Sequence, residues 1–289
     1  MKKIILITLV CALGIKGLRA ENEERVNFVP SQGQFSVGFD VSPIFRFVGN
    51  MFNNSDNVTL DPLSGTPVLN NSRNALLPAA SIMGRYMFTD NIAFIANIGV
   101  LGNSVTTRMY VRDDRAFTLD PLNNDRLIDV RNVRQNGFSM MLGGEYRIGQ
   151  NRVQGIFGGG LMFASVGSRT TYEWANAMTD INRAPTTSWG QLSGNSRTLE
   201  VRGGSPTIFW GLATHAGAEF FLAPGISIGA TVNLYILREN GAQTYTKTEW
   251  FNTGSNQVET WTALTAPGNR ATRWGTDNLG GSLFIAFYF

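Results

Sequence analysis

Apolar and polar residues alternate with a period of two along much of the chain. The cleanest run sets Phe35, Val37, Phe39 and Val41 against Gln34, Ser36, Gly38, Asp40 and Ser42. Successive side chains of a strand point to opposite faces, so this run predicts a strand with one apolar side. The pattern returns over 80–88, 92–100, 138–148, 153–163, 210–222, 226–236 and 283–289, predicting eight strands in all. Thr89-Asp90-Asn91, Gly149 to Arg152 and Ala223-Pro224-Gly225 supply tight turns, whereas 46–77, 103–136, 167–206 and 239–277 are long, polar connections. Short turns at one end and four long loops at the other describe an antiparallel up-and-down barrel in a membrane, because a soluble sandwich mixes its loop lengths.

The two faces of the predicted strands differ in kind. One carries Ile82, Phe94, Leu142, Leu161, Leu212 and Val232, with no charge among them. The charges within the runs, Asp40, Arg85, Glu145, Arg147 and Glu219, all fall on the opposite face. An arginine on the lipid face near the midplane costs about 2 to 4 kcal/mol, so a bilayer enforces this segregation. A half-buried soluble sheet also alternates. Its wet face would be rich in Lys and Glu, however, and here that face is largely small: Ser139, Gly143, Gly158, Gly160, Ala213, Gly217, Ser227 and Gly229. Small residues suit the interior of a narrow barrel. Tyr86, Phe88, Tyr146, Phe220 and Phe289 near the turns, with Phe45, Phe138, Phe163 and Trp210 near the loops, are expected to form interfacial girdles.

Residues 1–20 stand apart. Lys2 and Lys3 precede the apolar run 4–15, and Leu18-Arg19-Ala20 resembles a cleavage end, so the segment reads as a secretory signal peptide. The run is too short for the roughly 20 residues of a spanning helix. Removing it lowers Lys+Arg from 24 to 20 against 21 Asp+Glu, so the basic balance belongs to the leader and nucleic acid is not an expected partner. The single cysteine, Cys11, leaves with it, and neither a disulfide nor a lipid anchor is expected. Residues 21–32 are then a short periplasmic segment and 33–289 the barrel.

Over residues 33–289 the chain resembles the small OmpA/OmpX-type and opacity-type outer-membrane barrels. The resemblance is sharpest in the final strand, where Leu283, Ile285, Phe287 and Phe289 alternate up to a terminal aromatic. It implies that the barrel-assembly machinery reads those residues, that lipid and lipopolysaccharide surround the wall, that the loops are extracellular and that the C-terminus faces the periplasm. The chain stops after that strand, so the periplasmic cell-wall-binding domain of OmpA relatives is not expected.

Several constellations carry possible chemistry. Arg85, Glu145, Arg147, Glu219 and Asp40 are expected to meet in the lumen as a charge-paired plug, the alternative being a switchable ion constriction. His215, the only histidine, lies four residues from Glu219 on the same face. Polar filling is preferred for it over catalysis, since one histidine is a poor enzyme signature. Five of the six tryptophans, Trp174, Trp189, Trp250, Trp261 and Trp274, fall in the loops. They are binding anchors or a small loop core, and 244–249 facing 258–263 reads as a hairpin. Should that hairpin join the wall, the barrel would have ten strands. Thr-Leu-Asp-Pro-Leu occurs twice, at 59–63 and 118–122, giving either two tip turns or a paired recognition site through Asp61 and Asp120. No cofactor or metal motif is expected. The functional expectation is a non-enzymatic outer-membrane mount whose loops meet an extracellular or envelope partner. The alternatives are a narrow porin-like channel, a barrel enzyme, or an accessory subunit of a secretion or assembly complex.

Overall fold

The computed structural model describes residues 28–41, 81–189, 192–193, 195–202, 206–274 and 279–289. In chain order the strands are β1 (Phe35–Asp40), β2 (Ile82–Met87), β3 (Ile92–Arg112), β4 (Arg126–Gln150), β5 (Val153–Glu173), β6 (Leu192–Ser193) and β7 (Ser196–Arg202). They continue with β8 (Thr207–Ala223), β9 (Ile226–Asn240), β10 (Thr244–Asn252), β11 (Gln257–Ala266), β12 (Arg270–Arg273) and β13 (Leu279–Tyr288). One short helix, α1 (Asp114–Leu119), separates β3 from β4. The expected leader 1–20 and the first loop 46–77 lie outside the described residues, as do Phe45 and Asp61.

Eight strands close into a ring. β1 pairs with β2, and the ladder proceeds through β3, β4, β5, β8, β9 and β13 back to β1, every pair antiparallel. Closure leaves no strand edge in the wall, the condition for a sheet to sit where no water can satisfy backbone N–H and C=O groups. Each predicted run centres on one of these strands, and the alternative of ten is corrected: the hairpin around 252–256 exists as β10 and β11 but outside the ring.

Alternation carries through to the coordinates. Leu142, Leu161, Leu212 and Ile236 stand in one register row across β4, β5, β8 and β9, all exposed on the outer wall, Leu161 at 70%. Tyr86, Phe88, Tyr146, Phe220 and Phe289 ring the wall near the turns, and Phe138, Phe163 and Trp210 ring it further along, all exposed. A soluble protein rarely leaves more than a few hundred Å² of contiguous apolar surface bare. A belt of this extent around a closed barrel is a lipid-facing wall, the architecture of small outer-membrane barrels.

The turn end is tight. Asn151 and Gly225 take up the left-handed backbone conformation, at φ 60° and 78°, that such short connections need. Thr89 Oγ1 accepts from the backbone N–H of Asn91 (3.3 Å) and Ile92 (3.0 Å), closing the first turn. The other end departs from expectation. Much of 103–136, 167–206 and 239–277, read as loop, is strand: β3 pairs with β4 without a register shift from Ile92↔Tyr146 to Arg112↔Arg126. A tilted spanning strand needs roughly 9 to 11 residues, and these are about twice that. Beyond the bilayer both faces are wet, so nothing enforces the alternation by which a strand is recognised. The extended wall also changes partners. β5 leaves β8 at Val166↔Thr207 and is met by β7 at Thr170↔Val201, which carries β10 and β11. β9 leaves β13 at Leu234↔Leu279 and is met by β12 at Leu237↔Arg273.

A Leu161→Arg substitution is expected to cost about 2 to 4 kcal/mol of membrane-folded stability. Urea unfolding in lipid vesicles, followed by heat-modifiable gel migration, checks this. A cost near zero would contradict a lipid-facing Leu161.

Candidate functional site

Near the turns the lumen is closed by a buried ionic network. Alternation points Arg85 from β2, Glu145 and Arg147 from β4, and Glu219 from β8 inward, and the curvature of the ring brings them together. Arg147 is the hub. It donates from Nη1 to Glu145 Oε1 (3.0 Å), from Nη2 to Glu219 Oε2, and from Nε to Gln154 Oε1 (2.8 Å). Its Nη1 also donates to the Tyr288 hydroxyl (2.9 Å), which in turn donates to Glu219 Oε1 (2.9 Å). Arg85 lies 3.3 Å from Glu145 and 3.8 Å from Glu219, and Ser227 Oγ donates to Glu219. Two arginines thus neutralise two glutamates, with all four side chains at most 1% exposed. Unpaired, any of them would carry a desolvation penalty of several kcal/mol.

Glycines decide who reaches whom. Glu145, Gly158 and His215 stand in one register row, and since Gly158 has no side chain, His215 Nε2 reaches across it to donate to Glu145 Oε2 at 3.0 Å. A Cβ on Gly158 would sit 2.4 Å from the His215 ring and 2.7 Å from the Gly144 carbonyl. His215 is therefore tied to Glu145, not to Glu219 as its spacing along β8 suggested. In the same way Phe284 lies over Gly229, where a Cβ would meet its ring at 2.2 Å. Asp40 lies at the far end of β1, opposite Phe284, whereas Ser36 stands at the level of Arg85.

Apolar side chains are interleaved with the charges. Ile156, Phe221, Phe284 and Ala286 pack with the Tyr288 ring, joined by Phe28 and Met83. Arg152 covers the Phe28 ring at 4.2 Å, and Gln32 donates its backbone N–H to Asp90 (2.8 Å), so residues 28–34 lie across that end. Further along, Ala164, Val166, Phe209 and Leu237 form a second plug. Sequence reasoning missed Tyr288, Gln154 and Ser227. Their signal was parity: with Phe287 and Phe289 outward, Tyr288 must point in, where its hydroxyl needs a partner.

The extended end carries an ordered cap. Asp113 caps α1, accepting from the N–H groups of Arg115 (2.9 Å) and Ala116 (3.0 Å). Residues 174–189 are latched onto the β3–β4 tip. Buried Asp129 accepts from Ala175 N (2.9 Å), Ser188 N (2.9 Å) and Ser188 Oγ (3.0 Å), and Asn176 donates to the Arg112 (2.8 Å) and Thr186 (3.1 Å) carbonyls. Asp114 accepts from the Thr186 N–H and hydroxyl (both 2.7 Å) and from Asn182 (3.0 Å). Burial pushes the Asp114 carboxyl up, but the Thr186, Asn182 and Arg112 hydrogen bonds outweigh it and hold the group below the usual carboxylate range.

The five loop tryptophans divide. Trp174 stacks on Tyr172 (5.1 Å, 5°), and Trp189 meets both rings at 5.9 to 6.0 Å, forming a small core. Trp250 and Trp261 lie diagonally on one exposed face of β10–β11, and Trp274 is 76% exposed. Asp120 accepts from the Leu122 N–H (3.0 Å) in a tip turn. Leu283, Ile285, Phe287 and Phe289 alternate along β13 toward the turn end, Phe289 exchanging backbone hydrogen bonds with Phe35. Among the described residues no group of His, Cys, Asp and Glu is arranged to hold a metal ion.

No protein-family model and no curated protein matches the chain. Among solved structures it is similar to Ail, the attachment invasion locus protein of Yersinia pestis, at 11% identity and TM-score 0.30, covering 89% of this chain and 99% of that one. It is also similar to the outer membrane protein OprG from Pseudomonas aeruginosa, at 11% identity and TM-score 0.31, covering 90% and 97%.

Two outcomes are expected. Glu219→Ala leaves Arg147 in the lumen short of its carboxylate and should cost about 3 to 5 kcal/mol in vesicle unfolding, while the exposed-strand change Thr260→Ala should cost under about 0.5 kcal/mol. Equal effects would show that the network does not hold the lumen. For Asp114 the folded-state value is depressed. Its contribution is therefore fully present above its unfolded value of about 3.9 and is lost as pH falls through the lower folded one. Protection of the Thr186 amide from hydrogen exchange should accordingly persist at pH 4 to 5, roughly the upper edge of carboxylate titration, and collapse only in stronger acid. Asp114→Asn should remove that acid step.

Proposed function

We propose that the protein is a non-enzymatic outer-membrane mount, in which the barrel holds a rigid surface outside the cell for engaging an envelope or extracellular partner. The observation that carries the reading is the overshoot of β3, β4 and β5, which continue as paired strand well past the aromatic girdle and support α1, the 174–189 cap and the β7–β10–β11 sheet. Side-chain latches such as Asp129 and Asp114 order that cap, and an ordered surface loses less entropy on binding than a loose loop does. The reading places the turns and the C-terminus on the periplasmic side and the extended strands outside. Trp250 and Trp261, exposed together on one sheet face, are its proposed contact residues, since tryptophan is enriched among residues that dominate binding.

A filled lumen favours this reading over the channel. Arg147 and Glu219 are fully buried among the apolar cluster around Ile156, Phe221 and Phe284, and a second apolar plug of Ala164, Val166, Phe209 and Leu237 lies further along. The enzyme reading gains nothing from His215, whose Nε2 is engaged by Glu145.

The test replaces residues 244–266 with a short turn, alongside a Trp250→Ala, Trp261→Ala variant. Both should keep heat-modifiable migration, while co-purification of partners from native membranes and surface adhesion fall to background. Unchanged adhesion and an unchanged set of partners in both would overturn the proposal. In planar bilayers the parent protein is expected to pass no steady current, and sustained conductance would favour the channel.

A further inference from the structure

One observation on the outer wall is unexplained by either the barrel or the cap. Arg134 of β4 and Arg169 of β5 are directly opposite in register. Both point outward, because β4 and β5 run without a register shift from Phe138 and Phe163 of the girdle. Like charges directly opposite on adjacent strands repel, so a sheet carries such a pair at a cost unless an anion lies between them. Arg134 is exposed, and among the described residues no carboxylate pairs with it. The strands beside them add to the field. Glu200 of β7 is opposite Thr171, next to Arg169, and it faces Lys247 of β10, with Arg202 one repeat along. Glu200 already accepts from Arg169 (2.8 Å) and from the Tyr245 hydroxyl (2.8 Å). Four cations therefore stand with Glu200 on a single outward face, on which Glu173 follows two residues beyond Thr171.

Height along the wall says what the face meets. Arg134 stands four residues beyond Phe138, about 13 Å along a strand at roughly 3.3 Å per residue. With a tilt of about 40° this is on the order of 10 Å further from the midplane than the girdle. That is headgroup level, above the hydrocarbon and below the cap. Guanidinium groups match phosphate oxygens bidentately, and two directly opposite on neighbouring strands can close on one phosphate as a clamp.

We propose that Arg134 and Arg169, assisted by Arg202 and Lys247, bind a phosphate of lipopolysaccharide in the leaflet on the extended-strand side. The assignment rests on the reading that this end faces outward from the cell. The ligand anchors the wall at a fixed depth and removes the repulsion between the two arginines.

The experiment uses the full mature chain refolded in detergent, with lipid A, enzymatically dephosphorylated lipid A, phosphatidylglycerol and inorganic phosphate as probes, and lipid retention read by native mass spectrometry. Phosphorylated lipid A should be retained at least about tenfold more tightly than its dephosphorylated form, the equivalent of one charge-assisted contact. Arg134→Gln with Arg169→Gln should abolish that difference, and the double Lys variant should keep part of it. Equal retention of both lipid A forms overturns the clamp. Retention of phosphatidylglycerol equal to that of lipid A, or displacement by millimolar phosphate, overturns the lipopolysaccharide assignment in favour of a general anion site. Failure of the clamp is separable from failure of the membrane reading: a variant that keeps heat-modifiable migration is a folded barrel, whereas a parent chain that never acquires it defeats both.

Discussion

Hydrocarbon offers no hydrogen bonds, and the rest of the structure follows from that. A sheet in such a solvent must close on itself, and eight strands close around a lumen only as wide as the side chains that fill it. The outer wall must then be apolar across the hydrocarbon, and the charges Arg85, Glu145, Arg147 and Glu219 that the strands carry there are directed inward. Once inside, those charges are crowded enough that pairing is obligatory. The belt of Leu142, Leu161, Leu212 and Ile236 and the knot of Arg147, Glu145, Glu219 and Tyr288 are two faces of one constraint.

Small residues make the knot feasible. Gly158 lets His215 lie flat across the wall to Glu145, and Gly229 receives the Phe284 ring, so the lumen accommodates bulky groups by removing side chains opposite them. Each glycine costs conformational entropy on folding, offset here because a methyl group in its place would strike a ring or a backbone carbonyl. Tyr288 links the last strand to arginines of the second and fourth strands, so the contacts that fill the lumen also tie the ends of the ring together.

Past the girdle the constraint relaxes and the architecture changes. The β3–β4 and β4–β5 ladders continue, because backbone hydrogen bonds need no apolar face, but polar side chains stand on both sides. Stability there comes from other sources: carboxylates accepting from backbone N–H groups, as at Asp129 and Asp114, and the stack of Tyr172, Trp174 and Trp189. This polar and aromatic construction gives the proposed mount its rigidity where lipid no longer supplies order.

What the linear chain determined by itself was everything that lipid selects residue by residue. Alternation located the eight wall strands, the charge-free side identified the outward face, and Asn151 and Gly225 lay in the tight turns. The inward direction of Arg85, Glu145, Arg147 and Glu219 was legible for the same reason. Partners were not. That His215 meets Glu145 across Gly158, that Asp40 stands at the level of Phe284, and that Tyr288 completes the knot all depend on cross-strand register. Register is a relation between distant segments that no single strand encodes. The extensions of β3, β4 and β5 were hidden for a different reason: with water on both faces, a strand loses the period-two signature that reveals it, and only its hydrogen-bonded neighbours define it as a strand.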